Sequence, residues 1–363
     1  MNNNTKKILL IFIEPTPYIL DLVSQDFDEY HHRLEVIFLK NNLTQQWGLT
    51  ANVCKNPVLI FYKIFIQRKY ALVHVAGWSQ PICLLIILLS RIFLVPVVVE
   101  SDTQINPNLT RLKKIIKRVL FPILFRFPRG FLPGGTRQKK YLAHYGVGDY
   151  KMIKANMTVD TEKISRYTSS IPNDERCMIR KQYKADEHDV VFLYVGRLLD
   201  WKGIRELLAA IKKFDNYRVK VWIAGDGELA EEVREAEKNN NRVHYLGRVS
   251  GDLLWKIYHA ADVFVLPSHA EPWGLVVNEA MAAGKPVIVT NAVGCVDDLV
   301  THQKEGLIIK PKNITALSDA MQYVLDQPYQ RETMGFNAKN RIASWTLQNE
   351  ARNIIEGWRV FGA

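Results

Sequence analysis

Short apolar runs alternate with amphipathic stretches along most of the chain. An unbroken apolar run is typical of a buried strand, and apolar residues three and four positions apart are typical of a helix. In the first half this pattern predicts strands at Lys6–Ile13, Leu34–Leu39, Ala71–Val75, Val95–Glu100, Arg129–Pro133 and, at the edge, Met152–Lys154. In the second half it predicts strands at Val190–Val195, Val219–Ala224, Val243–Leu246, Asp262–Pro267, Val287–Thr290 and Leu307–Ile309.

Helical stretches separate these strands, and a polar segment at 160–189, with one helix near Glu175–Tyr183, separates the two runs. Strands that alternate with helices predict parallel sheets joined by crossover helices. The fold class is therefore α/β, with two Rossmann-like domains facing each other across a cleft. We place the domains at residues 1–167 and 168–344, followed by a helical tail at 345–363.

Composition places the chain among globular proteins. Its 363 residues are 48% apolar and 23% charged, which is ordinary for a soluble protein that folds. The apolar run Ile8–Ile13 meets Glu14 at once, which favours a core strand over a signal peptide. Arg91 and Pro96 interrupt the apolar segment Ile82–Val99, which favours a helix and a strand over a membrane span.

The four cysteines, at 54, 83, 177 and 295, show no metal-ligand spacing and no disulfide framework. We expect free thiols in a reducing compartment.

Charge is distributed unevenly along the chain. Residues 1–170 hold 23 Lys and Arg against 11 Asp and Glu, a net charge of +12, and the other residues hold 25 against 26, a net charge of −1. All of the excess of +11 therefore comes from the first half. Such asymmetry predicts an anionic partner for the first domain alone.

The stretch Glu271–Val289 has two carboxylates, Glu271 and Glu279, eight positions apart after a predicted strand. A turn followed by a helix places Glu271 in the turn and Glu279 on the helix. The first N–H groups of such a helix, from Leu275 onward, carry the positive end of its dipole and attract an anion. This predicts a nucleotide diphosphate-sugar site, whereas the alternative is a pair of solvated helix charges.

Other strand ends carry glycines and cations. Gly196 and Arg197 follow one predicted strand, and Lys202 opens the next helix. Arg and Lys at the carboxyl edge of a parallel sheet can hold a diphosphate, unless they are simply surface cations. Gly225-Asp226-Gly227 and Gly247-Arg248 mark turns on the same edge, either near the ligand or as plain tight turns.

The motif Ser268-x2-Glu271-Pro-Trp-Gly-Leu, followed by Asn278-Glu279-Ala-Met-Ala-Ala-Gly-Lys-Pro-Val-Ile, resembles the signature of retaining GT-B glycosyltransferases of the family 4 type. The resemblance covers residues 190–300 with specific motifs and the first domain only loosely.

The resemblance implies that the second domain holds a UDP-, GDP- or ADP-sugar and the first holds the acceptor. In such enzymes the two cations, here Arg197 and Lys202, hold the diphosphate. Glu271 would then bind sugar hydroxyls and Glu279 the ribose. The remaining nucleotide contacts would come from Gly196, Arg248, Gly274, Leu275 and Val276. The acceptor hydroxyl attacks on the face that the nucleotide leaves, and the tail helix crosses back to the first domain.

The first domain departs from the family pattern. The family often has glycines in the first βα loop and a histidine at the end of the fourth strand. This chain has Glu14–Tyr18 in the first place and Asp102 in the second. Asp102 is our candidate for the residue that meets the reacting sugar, and the alternative is a strand-end Asp that caps the next turn.

An Asp-x-Asp sequence at 26–28 is the metal signature of a different glycosyltransferase fold. It lies in a polar loop before a strand, so we interpret it as a solvated turn. We expect no catalytic metal and no cofactor.

The basic stretch Arg111–Lys140 holds ten Lys or Arg and no Asp or Glu. Within it, the segment Arg111–Leu124 predicts an amphipathic helix with an apolar stripe at positions 112, 115, 116, 119, 120 and 123. A basic amphipathic helix suits an anionic membrane surface. The alternative is a crossover helix that packs this stripe on the sheet and leaves its charges in water.

We predict a hexosyltransferase for bacterial polysaccharide or lipopolysaccharide synthesis, with a glycan or lipid-linked glycan acceptor. The expected location is cytoplasmic and peripheral on the inner face of the membrane. One rival is a soluble GT-B enzyme, such as a glucan synthase or a sugar-nucleotide epimerase, although an epimerase should lack the Arg197 and Lys202 pairing. The other rival is a nucleic-acid-binding protein, which predicts aromatics on a sheet face and gives the glutamate pair no purpose.

Overall fold

The computed structural model describes residues 6–25, 27–40, 53, 56–106, 109–214 and 218–362. The chain divides into two compact units. The first unit comprises Met1–Thr158 with Leu347–Ala363, and the second comprises Val159–Thr346.

Eleven strands lie within the described residues. Those of the first unit are β1 (Lys7–Phe12), β2 (Leu34–Phe38), β3 (Tyr70–Ala76), β4 (Val97–Ser101) and β5 (Gly130–Pro133). Those of the second unit are β6 (Val190–Val195), β7 (Val219–Ala224), β8 (Val243–Gly247), β9 (Val263–Leu266), β10 (Val287–Thr290) and β11 (Gly306–Ile309).

Helices connect the strands. The first unit has α1 (Pro17–Val23), α2 (Pro57–Phe61), α3 (Pro81–Phe93), α4 (Arg111–Leu124) and α5 (Thr136–His144). The second unit has α6 (Thr161–Ser170), α7 (Asn173–Gln182), α8 (Ile204–Ile211), α9 (Ala230–Asn239), α10 (Asp252–Ala260), α11 (Leu275–Ala282), α12 (Val296–Leu299), α13 (Ile314–Asp326) and α14 (Pro328–Ile342). The last helix, α15 (Leu347–Gly362), returns to the first unit.

Both sheets are parallel, as the alternating pattern predicts. The strand order is β2-β1-β3-β4-β5 in the first unit and β11-β10-β9-β6-β7-β8 in the second. Parallel strands covered by helices on both faces are apolar throughout, which is why these strands appear as unbroken apolar runs in the sequence. The predicted pair of Rossmann-like parallel-sheet domains is confirmed.

Each face of the first sheet has its own apolar cluster. One face packs against α2 and the turn after it, α3 and α5, and Ile64, Ile86 and Tyr141 are among its buried residues. The other face packs against α1 and α15, where Trp358 stacks on Phe27 with ring centroids 5.3 Å apart. The helix α15 therefore completes the core of the first unit.

The region at 160–189 differs from its sequence interpretation, because it contains two helices, α6 and α7, and not one. Helix α6 packs against α10 and α11, so residues from Val159 onward belong to the second unit, and the observed border lies before the predicted 167/168. The predicted edge strand at 152–154 is reduced to a single bridge between Met152 and Phe131.

Three cysteines of the described residues, Cys83, Cys177 and Cys295, are free thiols, and Cys54 lies outside the described residues. Among the helices that the structure describes, none has the length and apolarity needed to cross a bilayer.

Candidate active site

The order in which the chain adds strands to the second sheet reverses between β6 and β9. These strands are neighbours, with Phe192 opposite Val263, but β6 leads to β7 on one side and β9 leads to β10 on the other. The chain therefore leaves the carboxyl ends of β6 and β9 in opposite directions along the sheet, which makes this a topological switch point. Ligands of open α/β sheets bind at such a switch point. Both loops hold residues that the sequence analysis selected.

The loop after β6 contains Gly196 and Arg197. The Tyr194 hydroxyl donates to the Arg197 carbonyl oxygen at 2.9 Å, which fixes the loop to the strand before it. The Arg197 side chain is half-buried. Burial raises the pKa of Tyr194 well above its usual value, the Glu271 carboxylate adds to the increase, and the Arg197 charge opposes it. Arg197 and Glu271 thus act electrostatically on the same buried hydroxyl.

Lys202 and Glu271 form a buried ion pair, in which the Lys202 ammonium donates to Glu271 Oε2. Each residue is only 9% exposed. The Ser268 hydroxyl donates to the same oxygen at 3.4 Å, and Lys202 Nζ lies 4.5 Å from the centre of the Trp201 ring. The two loops therefore place a cation and an anion side by side at the switch point.

Close backbone packing holds these loops together. Gly203 has φ of +76°, and a Cβ there would lie 2.2 Å from the Pro267 carbonyl oxygen, so the loops meet only because this residue is glycine. The His269 N–H also donates to the Trp201 carbonyl at 2.7 Å. The position of Lys202 opposite Glu271 therefore depends on the backbone of both loops.

Helix α11 begins at Leu275, four positions after Glu271. Its N-cap, Gly274, has φ of +98° and makes no side-chain capping bond, and Leu275 and Val276 form the first turn. The Trp273 indole donates to Asn278 Oδ1 at 3.1 Å, and the Gly294 N–H donates to the Glu271 carbonyl at 2.9 Å. The amino end of α11 and the Glu271 carboxylate are therefore fixed in one rigid turn.

Glu279 lies on α11 and accepts a hydrogen bond of 2.8 Å from the Tyr258 hydroxyl. Burial raises the pKa of Glu279 to about 7, although the bond from Tyr258 opposes this. Burial beside Glu279 in turn raises the pKa of Tyr258 well above its usual value. Glu279 is thus oriented by Tyr258 and half ionised near neutral pH.

Arg248 follows β8 on the same edge of the sheet, two strands away from β6, and its side chain is exposed. The turns after β7 and β8 contact each other, since the Gly225 N–H donates to the Gly247 carbonyl at 2.7 Å. Arg248 therefore lies at the far end of the carboxyl edge from the Lys202–Glu271 pair.

Asp102 belongs to the first unit, where it follows β4 with an exposed side chain. Burial raises the pKa of Tyr18 to about 12, and the charges of Asp102, Glu100 and Glu14 contribute to the increase. Asp102 therefore shares the carboxyl edge of the first sheet with two further carboxylates. Its role toward the reacting sugar stays a prediction.

One pair beside the site was not selected from the sequence. His269 Nε2 lies 2.8 Å from Glu206 Oε1, and both side chains are mostly buried. Glu206 is on α8 and His269 is in the loop after β9, so the pair joins the elements that carry Lys202 and Glu271. No spacing could have indicated it, because the two residues are 63 positions apart. Tyr258 was missed for the same reason.

No group of three or more His, Cys, Asp or Glu side chains is arranged to hold a metal ion in the part of the chain that the structure describes. Asp26 and the side chain of Asp28, from the Asp-x-Asp sequence, lie outside that part.

Known proteins resemble the part of the chain that carries these residues. The family "Glycosyl transferases group 1" matches residues 176–341, which include every candidate residue of the second unit. An uncharacterized glycosyltransferase, MJ1607, from Methanocaldococcus jannaschii is 32% identical over 52% of this chain and 49% of its own length.

Two further relatives are glycosyltransferases of bacteria. The capsular polysaccharide biosynthesis glycosyltransferase CapM of Staphylococcus aureus is 30% identical over 47% of this chain and 45% of its own. The N,N'-diacetylbacillosaminyl-diphospho-undecaprenol alpha-1,3-N-acetylgalactosaminyltransferase of Campylobacter jejuni is 25% identical over 70% of this chain and 64% of its own. The chain thus spans less than two thirds of the length of these relatives.

Among solved structures, Anabaena Alr3699/HepE in complex with UDP superposes with a TM-score of 0.77 at 20% identity, covering 96% of this chain and 98% of that one. At this identity the likeness concerns the fold, and the fold is GT-B. Residues 176–341, within the second unit, therefore match the glycosyl transferases group 1 family, and the whole chain has the GT-B fold.

Proposed function

We propose that this chain is a retaining, metal-independent hexosyltransferase of the family 4 type that uses no resident cofactor. It would move a sugar from a nucleotide diphosphate-sugar to a hydroxyl of a glycan or lipid-linked glycan. One observation carries the proposal: Lys202 and Glu271 meet at the switch point of the second sheet, next to the open amino end of α11. A phosphate-binding cation, a hydroxyl-binding carboxylate and a helix dipole therefore meet at one place.

The second unit offers a partner for each part of the donor. Arg197 and Lys202 would hold the diphosphate together with the N–H groups of Leu275 and Val276, while the Glu279 carboxylate would accept from the ribose hydroxyls. Glu271 would accept from hydroxyls of the transferred sugar. Gly196 and Arg248 would border the nucleoside on the same edge of the sheet.

The proposed reaction breaks the bond between the anomeric carbon and the phosphate oxygen. The acceptor oxygen forms its bond on the same face of the sugar, and the departing phosphate oxygen takes the acceptor proton. Negative charge grows on the diphosphate as the bond breaks. Arg197, Lys202 and the α11 amino end stabilise that charge, the kind of fixed electrostatic stabilisation that often contributes most to catalysis. Asp102 is the proposed side chain of the first unit nearest the reacting sugar.

Relatives support a role in bacterial surface glycans. CapM carries capsular polysaccharide biosynthesis in its name, and the Campylobacter enzyme has a diphospho-undecaprenol acceptor in its name. UDP is bound in the Anabaena structure. We accordingly place UDP-sugars first among the donors. We place the protein in the cytoplasm, peripheral on the inner face of the membrane, where a lipid-linked acceptor is accessible.

The decisive experiment is a donor panel. Purified protein is incubated with UDP-, GDP- and ADP-sugars, and slow hydrolysis and the shift in Tm are measured. One donor should be hydrolysed, without loss of rate in EDTA. At 100 times its Kd it should stabilise the fold by about 2.7 kcal/mol. Arg197→Ala is the matched control: it should remain folded and lose hydrolysis. If no donor raises Tm, the proposal is wrong.

A further inference from the structure

Helix α4 turns its apolar stripe toward the solvent. None of its 14 residues is buried. The six stripe residues are between 44% and 67% exposed, namely Leu112, Ile115, Ile116, Val119, Leu120 and Ile123. The alternative in which a crossover helix packs this stripe on the sheet is therefore wrong.

The opposite side of α4 faces its own unit. Lys117 Nζ lies 5.2 Å from the centre of the Phe121 ring and 3.4 Å from the Tyr141 hydroxyl. Phe121 and Leu124 pack against the apolar cluster that contains Tyr141. A residue advances about 100° around a helix, which places Lys117, Phe121 and Leu124 opposite the stripe. The side of α4 that carries Phe121 therefore packs against its own unit, and the aliphatic stripe faces the solvent.

The neighbouring helices extend this surface. Helices α2, α3 and α4 contribute to the same apolar cluster on one face of the first sheet, so they form a single layer. Exposed apolar side chains also lie on α2, on the turn that follows it, and on α3 and its C-cap, namely Val58, Leu59, Tyr62, Ile66, Leu85, Ile92 and Leu94. With the α4 stripe they make up 13 of the 21 large exposed apolar residues among those described. Apolar exposure is therefore concentrated on one layer, which marks an interaction surface.

Cations surround the stripe without acidic neighbours on the same helix. On a helical projection, Lys113 flanks the stripe on one side, and Arg111 and Arg118 flank it on the other. At the end of α3, Arg91 stands beside the exposed Ile92. Burial and the charges of Arg91 and Arg129 lower the pKa of Lys151, so three cations converge there as well.

The charge and the side-chain types of this surface favour one class of binding partner. A second copy would bring two positive helices together, which is unfavourable. A single-stranded nucleic acid favours aromatic stacking platforms, whereas the exposed stripe is aliphatic. Aliphatic side chains with flanking Lys and Arg match the boundary between acyl chains and anionic headgroups.

We infer that the α2–α4 layer is a docking surface for an anionic lipid bilayer. The α4 stripe lies at the level of the acyl chains, and the flanking cations bind lipid phosphates. The use of this surface, access to a lipid-linked acceptor, rests on the proposed function. The binding itself does not.

The test is sedimentation of the full chain with vesicles of phosphatidylglycerol and phosphatidylcholine, or of phosphatidylcholine alone. Wild-type protein should bind the anionic vesicles only. Ile115→Gln, Ile116→Gln and Val119→Gln together should weaken binding at least tenfold. So should Arg111→Gln, Lys113→Gln and Arg118→Gln, with a smaller salt dependence of the remaining binding. The matched control is Tyr329→Gln with Phe336→Gln, which are 76% and 67% exposed on α14 of the second unit and should leave binding intact.

Hydrogen exchange of the backbone amides gives a second readout on the unmutated chain. Anionic vesicles should slow exchange at 111–124. Stripe variants that bind like wild type would overturn the proposal. So would a dimer, or an RNA complex, that forms through the stripe while vesicles do not bind. Donor hydrolysis is measured on every variant and should not change. A chain that binds vesicles but hydrolyses no donor refutes the proposed function and leaves the docking surface standing.

Discussion

Glu279 shows how burial decides the behaviour of a single carboxyl group. Its carboxylate has been partly removed from water and receives one hydrogen bond, from Tyr258. Desolvation raises the pKa to about 7 because it disfavours the charged form. The residue can therefore be selected from the sequence, but its protonation state depends on a tyrosine 21 positions away.

We expect nucleotide binding to depend on pH through Glu279. The ionised form accepts ribose hydroxyls better, and the ionised fraction rises roughly tenfold between pH 6 and 8 for a pKa near 7. Calorimetry with the nucleoside diphosphate should show affinity rising up to about tenfold over that range. Glu279→Gln should remove this part of the pH dependence, while any part due to the ligand phosphates remains in both proteins.

Stability should change with pH in the opposite direction. A raised folded-state pKa means that the folded protein binds more protons than the unfolded chain between about pH 4.5 and 7. This stabilisation is complete below the pKa that Glu279 has in the unfolded chain, and it is lost as the pH rises through about 7. Relative to Glu279→Gln, the wild-type free energy of unfolding should therefore fall by about 1–3 kcal/mol between pH 4.5 and 8. Urea unfolding at both pH values checks this. A constant difference between the two proteins contradicts it.

Lys202 and Arg197 have the same predicted role in the sequence motif, but Lys202 forms a buried pair with Glu271, whereas the Arg197 side chain is half-buried. We therefore expect their substitutions to change stability by different amounts. Lys202→Met leaves the Glu271 charge buried without its partner, which should cost about 3–5 kcal/mol of stability. Adding Glu271→Gln should restore most of that loss. Arg197→Ala, at a half-buried position, should change stability by less than about 1 kcal/mol.

Lys202→Met and Arg197→Ala should nevertheless both slow hydrolysis of the donor. Loss of either cation should lower kcat/KM by about 2–4 kcal/mol of transition-state stabilisation. Urea unfolding and single-turnover kinetics separate the two effects. A Lys202→Met protein as stable as wild type would show that the buried pair contributes little to the fold.

At the scale of elements, strands were predicted well and helix faces less well. Unbroken apolar runs identify β1 and β6–β10 because both faces of a parallel strand are covered. The periodicity of α4 shows an apolar stripe, but periodicity does not tell whether the stripe faces the sheet or the solvent. The stripe faces outward because Phe121, Leu124 and Phe125 of the last turns fill the space above the sheet instead. The Glu206–His269 pair depends on how a helix and a loop from distant parts of the chain meet, which no local pattern encodes.

The contact between the β6 and β9 loops makes Gly203 a restrictive position of the site. Gly203→Ala combines a left-handed backbone with a Cβ only 2.2 Å from the Pro267 carbonyl oxygen. We expect a loss of at least about 3 kcal/mol in unfolding free energy and weaker nucleotide binding, because the loop carrying Lys202 must move.

Gly146 provides the control. It has φ of +88° with nothing within 4 Å of a Cβ, so Gly146→Ala incurs the backbone strain alone, about 1–2 kcal/mol. Equal losses in the two variants would show that the contact with Pro267 is unimportant.

At the scale of the whole molecule, the last helix belongs to the first unit, although it follows the second along the chain. Buried residues of α15 include Ile354, Ile355, Trp358 and Phe361. Burying one large apolar side chain contributes about 1.5–3 kcal/mol, so these four contribute an amount comparable to the whole stability of a domain. The first unit should not fold without them.

We therefore expect the two units to differ when they are expressed separately. Residues 159–346 contain all proposed donor contacts and should fold alone and bind the nucleoside diphosphate with the affinity of the full chain, within about threefold. Residues 1–158 alone should aggregate. The Thr158 N–H donates to Glu350 at 3.2 Å, so the cut ends lie close together, and a linker of about six residues should join 158 to 347. Circular dichroism and urea unfolding should show one cooperative transition for this joined unit. A folded, monomeric 1–158 fragment would contradict the assignment of α15 to the first core, whatever the donor-binding result.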